Sequence, residues 1–328
     1  MELSVAIPLP WQAEVWQQLV ESRRQGRLSH ALLLGGPEGL GKSLLAETLA
    51  RALLCREPTE SGHACGSCRD CRLFEAGTHP DFHRIAPEEE STQIRIEAIR
   101  GLLDDSTLVV GEARARVFLI DPAHAMGTAA ANALLKTLEE PPAGIHLLLV
   151  SSQPERLPVT IRSRCRQMNF RIPPAGEAVA WLRQAAGLDD ERARLLLELA
   201  GGGPVKVLEW LDLGTDALHD RCLEEFIEVA RGRAEPSAVA EAWLKEADLA
   251  FLLRLLGAWL AALVRTAVSE RTGPLAGRLA GAVSVPDPGN LYRLLDKLFE
   301  SQRRLGHNPN PQLVLEALLV EWRRITGR

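Results

Sequence analysis

Apolar positions in the first half of the chain follow two rhythms. Short unbroken runs occur in HALLLGG (30–36), ARVFLID (115–121) and IHLLLVSS (145–152). Such runs fit strands buried on both faces of a sheet. DFHRIAP (81–87) reads as a fourth strand. Between the runs, apolar residues recur at helical spacing in WQAEVWQQLVESRRQ (11–25), SLLAETLARALL (43–54), EAIRGLLDDSTL (97–108) and TAAANALLKTLEEPP (128–142). The last of these is stopped by Pro141 and Pro142. Alternating strands and helices predict a parallel sheet covered on both sides, with ligands at the C-terminal edges of its strands. The pair Pro173-Pro174 marks a boundary, and beyond it only helical patterns follow, from AVAWLRQAAGL to QLVLEALLVEWRRI. The expected organisation is α/β over 1–170 with a cysteine module at 55–71, a small helical domain over 171–212, and a larger helical domain over 213–328.

The loop after the first strand, GPEGLGKS (36–43), satisfies every position of G-x-x-x-x-G-K-[ST]. Gly36, Gly39 and Gly41 let the backbone take positive φ and come close to a phosphate. Their amides line an anion nest that opens onto a helix N-terminus. Lys42 supplies a charge near the outer phosphates and Ser43 a hydroxyl for Mg²⁺. The expected ligand is ATP or ADP; a loop left empty in the cell is the alternative. The strand VFLI ends in Asp121, placed to help hold Mg²⁺ through water, but the next residue is Pro122. A nucleotide-hydrolysing motor carries a second acid there to polarise water. Proline can neither accept a proton nor orient water, so the residues describe a grip without a base. His124 is the alternative base.

Composition removes several classes. The chain has 328 residues, 46% of them hydrophobic and 25% charged, with a net charge of −5. A protein that binds nucleic acid through its bulk field is normally basic, so any DNA contact is local or shared with partners. The start MELSVAIPLPWQAEVW lacks a secretory pattern, and no uninterrupted apolar stretch approaches ~20 residues. A cytoplasmic setting without a membrane span is the expectation. Six cysteines then read as thiols rather than disulfides. Cys65, Cys68 and Cys71 form C-x-x-C-x-x-C, and Cys55 supplies a fourth sulfur. Four thiolates describe a closed structural Zn²⁺ site; an iron–sulfur cluster and unligated thiols are the alternatives, with His63 and His79 as nearby competing ligands. Cys222 reads as a buried helix thiol, and the seven tryptophans as core anchors. The adjacent acids Asp104-Asp105 and Glu139-Glu140 read as solvated or capping groups, and Arg23, Arg24 and Arg27 as an exposed helix end.

Four segments together carry a resemblance: SHALLLGGPEGLGKS (29–43), the cysteine insert, ANALLKTLEEPP (131–142) and LPVTIRSRC (157–165). In this order they resemble the AAA+ clamp-loader family of bacterial DNA polymerase III. The resemblance implies an AAA+ domain, a helical lid and a helical collar in the three expected spans. It also implies that Arg164, within Ser163-Arg164-Cys165, reaches the nucleotide site of a neighbouring ATPase subunit as an arginine finger. Residues alone read Arg162, Arg164 and Arg166 as a basic edge after a strand. Implied partners are the gamma/tau ATPase subunits, a delta subunit, the sliding clamp, primed DNA through the complex, and single-stranded-DNA-binding machinery indirectly. ATPase members also carry an arginine at a helix start in the lid. Here AGGGPVKVLEW (200–210) places Val205 at that position, with Lys206 about 100° away around the helix. Ser151 and Ser152 end a strand where a polar sensor sits in such proteins. The expected role is a non-hydrolysing stator; the competitors are a gamma/tau-like ATPase and a zinc-dependent DNA-binding module.

Overall fold

The computed structural model describes residues 6–88, 91–103, 115–268, 273–305 and 309–327. Asp104 and Asp105 lie outside these residues. The chain forms two compact units, Glu2–Pro173 and Pro174–Arg328.

In the first unit the elements run α1 (Ala13–Arg24), β1 (Ala31–Gly35), α2 (Lys42–Leu54), α3 (Arg69–Glu75), β2 (Phe82–Ile85), α4 (Ile96–Leu103), β3 (Arg116–Ile120), α5 (Thr128–Glu139), β4 (Ile145–Ser151), α6 (Val159–Arg162) and β5 (Arg166–Asn169). All strand pairs are parallel, in the order β2-β3-β4-β1-β5. The loop-bearing β1 therefore lies inside the sheet and contributes five fully buried residues. Side chains alternate between two cores. Leu32, Leu34, Val117, Leu119, Leu148 and Val150 face α1 and α2, meeting Trp16, Leu45 and Leu49. Leu33, Phe118, Ile120, Leu147 and Leu149 face α4 and α5, meeting Ile99, Leu134 and Leu138. The helix expected over 11–25 is a 3₁₀ turn, Pro10–Gln12, that runs into α1.

The second unit is helical: α7 (Ala175–Ala186), α8 (Asp190–Leu199), α9 (Pro204–Asp212), α10 (Thr215–Ala230), α11 (Pro236–Glu246), α12 (Leu249–Val268), α13 (Pro274–Ala282), α14 (Pro288–Arg303) and α15 (Pro311–Thr326). Pro204, Pro236, Pro274, Pro288 and Pro311 each open a helix, where a missing N–H costs nothing. By length and composition α12, with 20 residues, matches a membrane-crossing helix. It is instead a core helix, burying Leu252, Leu253, Leu256, Trp259, Leu260 and Leu263. Aromatic rings fill the centre. Phe226 stacks on Trp322 at 4.3 Å, while Trp259 meets Phe226 at 5.0 Å and Trp243 at 6.0 Å. Each indole finds a partner: Trp322 donates to the Phe226 carbonyl, Trp243 to Glu225 and Trp259 to His219 Nε2. Cys222 is buried as expected. Glu198 on α8 accepts from Arg265 on α12 at 2.9 Å and from the Leu275 amide on α13 at 3.1 Å.

His219 gives this unit an acid sensitivity. It is fully buried, and its Nε2 accepts the Trp259 N–H at 2.9 Å. Burial first, then the charges of Arg192 and Arg278, depress its pKa to about 4, against the pull of Asp220. The native state thus keeps a neutral ring while the unfolded chain protonates near 6.5. Stability is lost as pH falls from about 6.5 towards 4, by up to about 1.4 kcal/mol per pH unit. Thermal unfolding followed across that window should show Tm falling, and His219→Gln, which keeps an acceptor for Trp259, should flatten the fall.

Candidate functional site

The loop between β1 and α2 is shaped by its glycines. Gly36 has φ 144° and Gly41, the N-cap of α2, φ 74° and ψ 25°. A Cβ on Gly36 would stand 2.3 Å from the Phe170 carbonyl oxygen, so only glycine fits against β5's end. Gly39, at φ 72°, takes the left-handed turn between them. The loop's carbonyls are held from behind: Gln12 Nε2 donates to Leu40 O at 2.8 Å and Gly41 O at 2.9 Å, and Trp11 Nε1 to Leu40 O at 3.0 Å. Gln12 is fully buried and its Oε1 takes the Leu9 amide. Sequence reasoning missed this residue. Its signal was a lone amide in the first turn after Pro10, with nothing to mark its partner.

Lys42 is 6% exposed and donates to the Pro37 carbonyl at 2.5 Å. Burial pulls its pKa down to about 8, although Asp121 and Glu38 work the other way. Asp121 follows β3 on the α2 side of the sheet. Arg84 of β2 reaches Asp121 Oδ2 at 3.6 Å and also pairs with Glu47 of α2. The chain then turns through Pro122 into the 3₁₀ turn Ala123–Ala125. Buried Ser151 ends β4; its hydroxyl accepts from the Gln153 amide at 3.1 Å and lies 3.1 Å from His124 Nδ1. Burial, with Arg156, lowers the His124 pKa. Glu38, Asp121 and Glu155 pull the other way, but burial wins, so the ring is a weaker base than a free imidazole.

Arg164 sits between α6 and β5. Its guanidinium is partly exposed, donates to Thr160 O at 3.1 Å and pairs with Glu139 Oε1 at 2.6 Å. Cys165 beside it turns inward into the core. The inward cysteine anchors the loop, and the arginine is left on the surface. Val205, in the second unit, is buried and uncharged.

The cysteine insert forms a second site. The sulfurs of Cys55, Cys65, Cys68 and Cys71 lie within 4.8 Å of one another. Two separations, Cys55–Cys68 and Cys65–Cys71, are 4.0 and 3.9 Å. A tetrahedral metal with bonds of about 2.3 Å needs edges of about 3.8 Å, so the cluster fits a metal ion. Backbone amides of Cys65, Cys68 and Cys71 donate to Cys55, Cys65 and Cys68 sulfurs at 3.3, 3.3 and 3.5 Å. Neighbouring amides draw Cys65 down to about 6, while burial pushes Cys71 up to about 12. A dication would let all four ionise. His63 and His79 are engaged elsewhere: His63 Nε2 is 2.8 Å from the Ile7 carbonyl oxygen, and His79 Nδ1 accepts the Asp81 amide.

Arg24 donates to Glu60 O and Arg27 to Gln25, while Arg23 is partly buried. Trp16, Trp243, Trp259 and Trp322 are buried, whereas Trp11, Trp181 and Trp210 are partly exposed.

Known proteins share this arrangement. The family described as DNA polymerase III, delta subunit, matches residues 11–174. DNA polymerase III subunit delta' of Pseudomonas aeruginosa is 36% identical across 97% of this chain and 98% of its own. Subunit tau of Escherichia coli is 38% identical over 49% of this chain, but only 24% of its own length. The crystal structure of a DNA polymerase III gamma subunit-related protein from Thermotoga maritima matches the fold with a TM-score of 0.50 at 18% identity, covering 96% of this chain and 99% of that one. A five-stranded parallel sheet carrying an intact phosphate loop, a four-cysteine insert and near full-length similarity agree, and the chain belongs to the delta-prime subunit family of the DNA polymerase III clamp loader, an AAA+ fold.

Proposed function

We propose that this chain is the non-hydrolysing stator of its clamp loader, holding ATP or ADP without cleaving it and lending Arg164 to a neighbouring ATPase site. The observation that carries the reading is the phosphate cradle at Gly36–Ser43 facing a strand end where Asp121 is followed by Pro122. Affinity comes from loop amides and Lys42; rate needs a positioned and activated water, and His124, the alternative base at this edge, is weakened by burial. Arg164 supports the second half. A guanidinium on a surface loop, held by one partly exposed ion pair, is free to exchange its carboxylate for a phosphoryl group.

The first unit corresponds to the AAA+ domain. We assign 174–212 to the lid and 213–328 to the collar, through which the chain joins gamma/tau and delta subunits in a ring. That complex places the sliding clamp on primed DNA in the cytoplasm, and meets single-stranded-DNA-binding machinery only indirectly. We assign Zn²⁺ to the four cysteines on their tetrahedral fit and all-sulfur ligand set. Its part is structural: four sulfurs close the shell, and the residues between them bury little apolar surface. Among the described residues no basic and aromatic patch surrounds the insert, which argues against a DNA reader.

Arg164→Ala tests the stator reading. The variant should fold, because a partly exposed ion pair contributes at most about 1 kcal/mol. In the reconstituted complex, turnover at the one site it serves should drop by about a thousandfold or more, while the same complex with Arg162→Ala keeps its rate. Unchanged turnover removes the finger. ATP turnover by the isolated chain, abolished in Lys42→Ala, removes the stator.

The loop has its own pH signature. Lys42 is charged below about 8 and neutral above it, and an anion stabilises only the charged form. Calorimetric titration with ADP should therefore show affinity falling as pH rises through about 8, by up to about tenfold per unit. Lys42→Met should bind weakly at every pH.

Cys68→Ser should reduce bound zinc from about one per chain to a small fraction, read by elemental analysis, and lower Tm by about 5 °C or more. A full zinc complement in this variant removes the four-sulfur assignment.

A further inference from the structure

We infer that nucleotide binding at this loop is independent of Mg²⁺, because an arginine already occupies the acid that a divalent cation would need. The inference rests on the reading that the loop holds a nucleotide, and goes beyond it by naming the form of the ligand: the metal-free nucleoside polyphosphate.

In a phosphate-loop site the cation sits between the loop hydroxyl and the acid that ends the neighbouring strand. Here those groups are Ser43, at the start of α2, and Asp121, just past β3. Glu47 lies one helical turn beyond Ser43 on the same face of α2. Arg84 leaves β2 opposite Leu119 of β3, so its side chain shares the α2 face of the sheet with Asp121. Its guanidinium pairs with Glu47 and reaches Asp121 Oδ2 at 3.6 Å. One planar cation thus joins Asp121 to Glu47, the carboxylate one turn beyond Ser43.

This arrangement does not suit Mg²⁺. The ion demands near-octahedral oxygen ligands and gives up its water reluctantly. To enter, it must draw Asp121 away from Arg84 and then sit beside a fixed positive charge. Asp121 is mostly buried, at 13% exposure, while the Arg84 side chain is half exposed, so solvent screens that repulsion only in part. Arg84 meanwhile offers what the metal would have offered. It is a permanent charge, its planar fork suits phosphate oxygens, and Glu47 anchors it. Asp121 links it to the cradle, because the same carboxylate also acts on Lys42. A site without a hydrolytic step has no use for a metal to activate water or to neutralise a leaving phosphate. It needs only enough positive charge to hold one.

The test is calorimetric titration of the full chain with ADP, in excess EDTA and in excess Mg²⁺. The expected result is a wild-type Kd that differs by less than about threefold between the two buffers. Arg84→Met keeps an unbranched stem and removes the charge. It should weaken ADP binding in EDTA by about tenfold or more, with Mg²⁺ restoring much of the loss. A second readout uses Mn²⁺ as a paramagnetic probe: with saturating ADP, wild type should leave it free in solution and Arg84→Met should bind it. Wild-type binding that needs Mg²⁺, or a wild-type ADP complex that captures Mn²⁺, overturns this inference and leaves the stator reading standing. Failure to bind ADP in either buffer overturns both. The wild-type comparison stands alone if the variant does not fold.

Discussion

A buried glutamine holds the phosphate loop from behind, and the grip on any anion depends on it. A cradle of this kind must turn its amides towards the ligand, so its carbonyls face the protein interior and need donors there. Gln12 supplies both hydrogens of its amide to Leu40 and Gly41, while its oxygen ties down the Leu9 amide. Trp11 adds a third donor. The loop therefore reaches its left-handed turns at Gly39 and Gly41 with its carbonyls satisfied, and binding does not have to pay for ordering it. The shape belongs to the resting protein.

Grip and chemistry are separable on this framework because they use different atoms. The cradle uses backbone amides and Lys42. Hydrolysis needs a base at the end of β3, and the chain has Pro122 there. The polar groups that remain at that edge are committed to one another. Ser151 joins Gln153 and His124, and Asp121 lies against Arg84. Such a set stabilises strand ends, and burial makes His124 a weaker base. Arg164, by contrast, is tied by contacts that are easily given up. Its neighbour Cys165 is buried, which fixes the backbone, while Glu139 steadies the guanidinium without enclosing it. A stiff loop with a loosely paired cation at its tip suits a residue whose work is done on another subunit.

Much of this was legible in the sequence wherever a signal was local. The phosphate loop, the four sulfurs and the strands ending at Gly35, Ile120 and Ser151 each depend on residues close together in the chain. The helices of the second unit were legible by period alone. Signals that depend on distant residues were not. β5 reads as polar because only Met168 of its four residues is buried; it is a strand because Gly35 and its neighbours on β1 pair with it. Gln12, Arg84 and Glu139 gave no local hint, since each acts on a residue between 25 and 37 positions away. Glu139 reads as a solvated acid, and Arg164 makes it more than that. The aromatic stack of Phe226, Trp259 and Trp322 joins three helices far apart in sequence, so periodicity identified its members as core without pairing them.

The two sites of the first unit meet on one helix. The cysteine insert lies against α1: Trp16 Nε1 donates to the Ser61 carbonyl at 3.1 Å, its ring lies 4.7 Å from that of His63, and Gly62 passes so close to Val20 that a Cβ would stand 2.3 Å from it. That close approach is why the insert turns at a glycine with φ 85°. One turn before Trp16, Gln12 carries the loop's hydrogen bonds. Cys55 completes the circuit, because it directly follows α2, the helix that begins at Lys42. The four sulfurs therefore gather at the far end of the helix whose near end carries the phosphate-loop motif. The same insert also fixes the outer side of α1. A polar stretch poor in apolar residues thus carries the four sulfurs while it packs against α1 and directly follows α2.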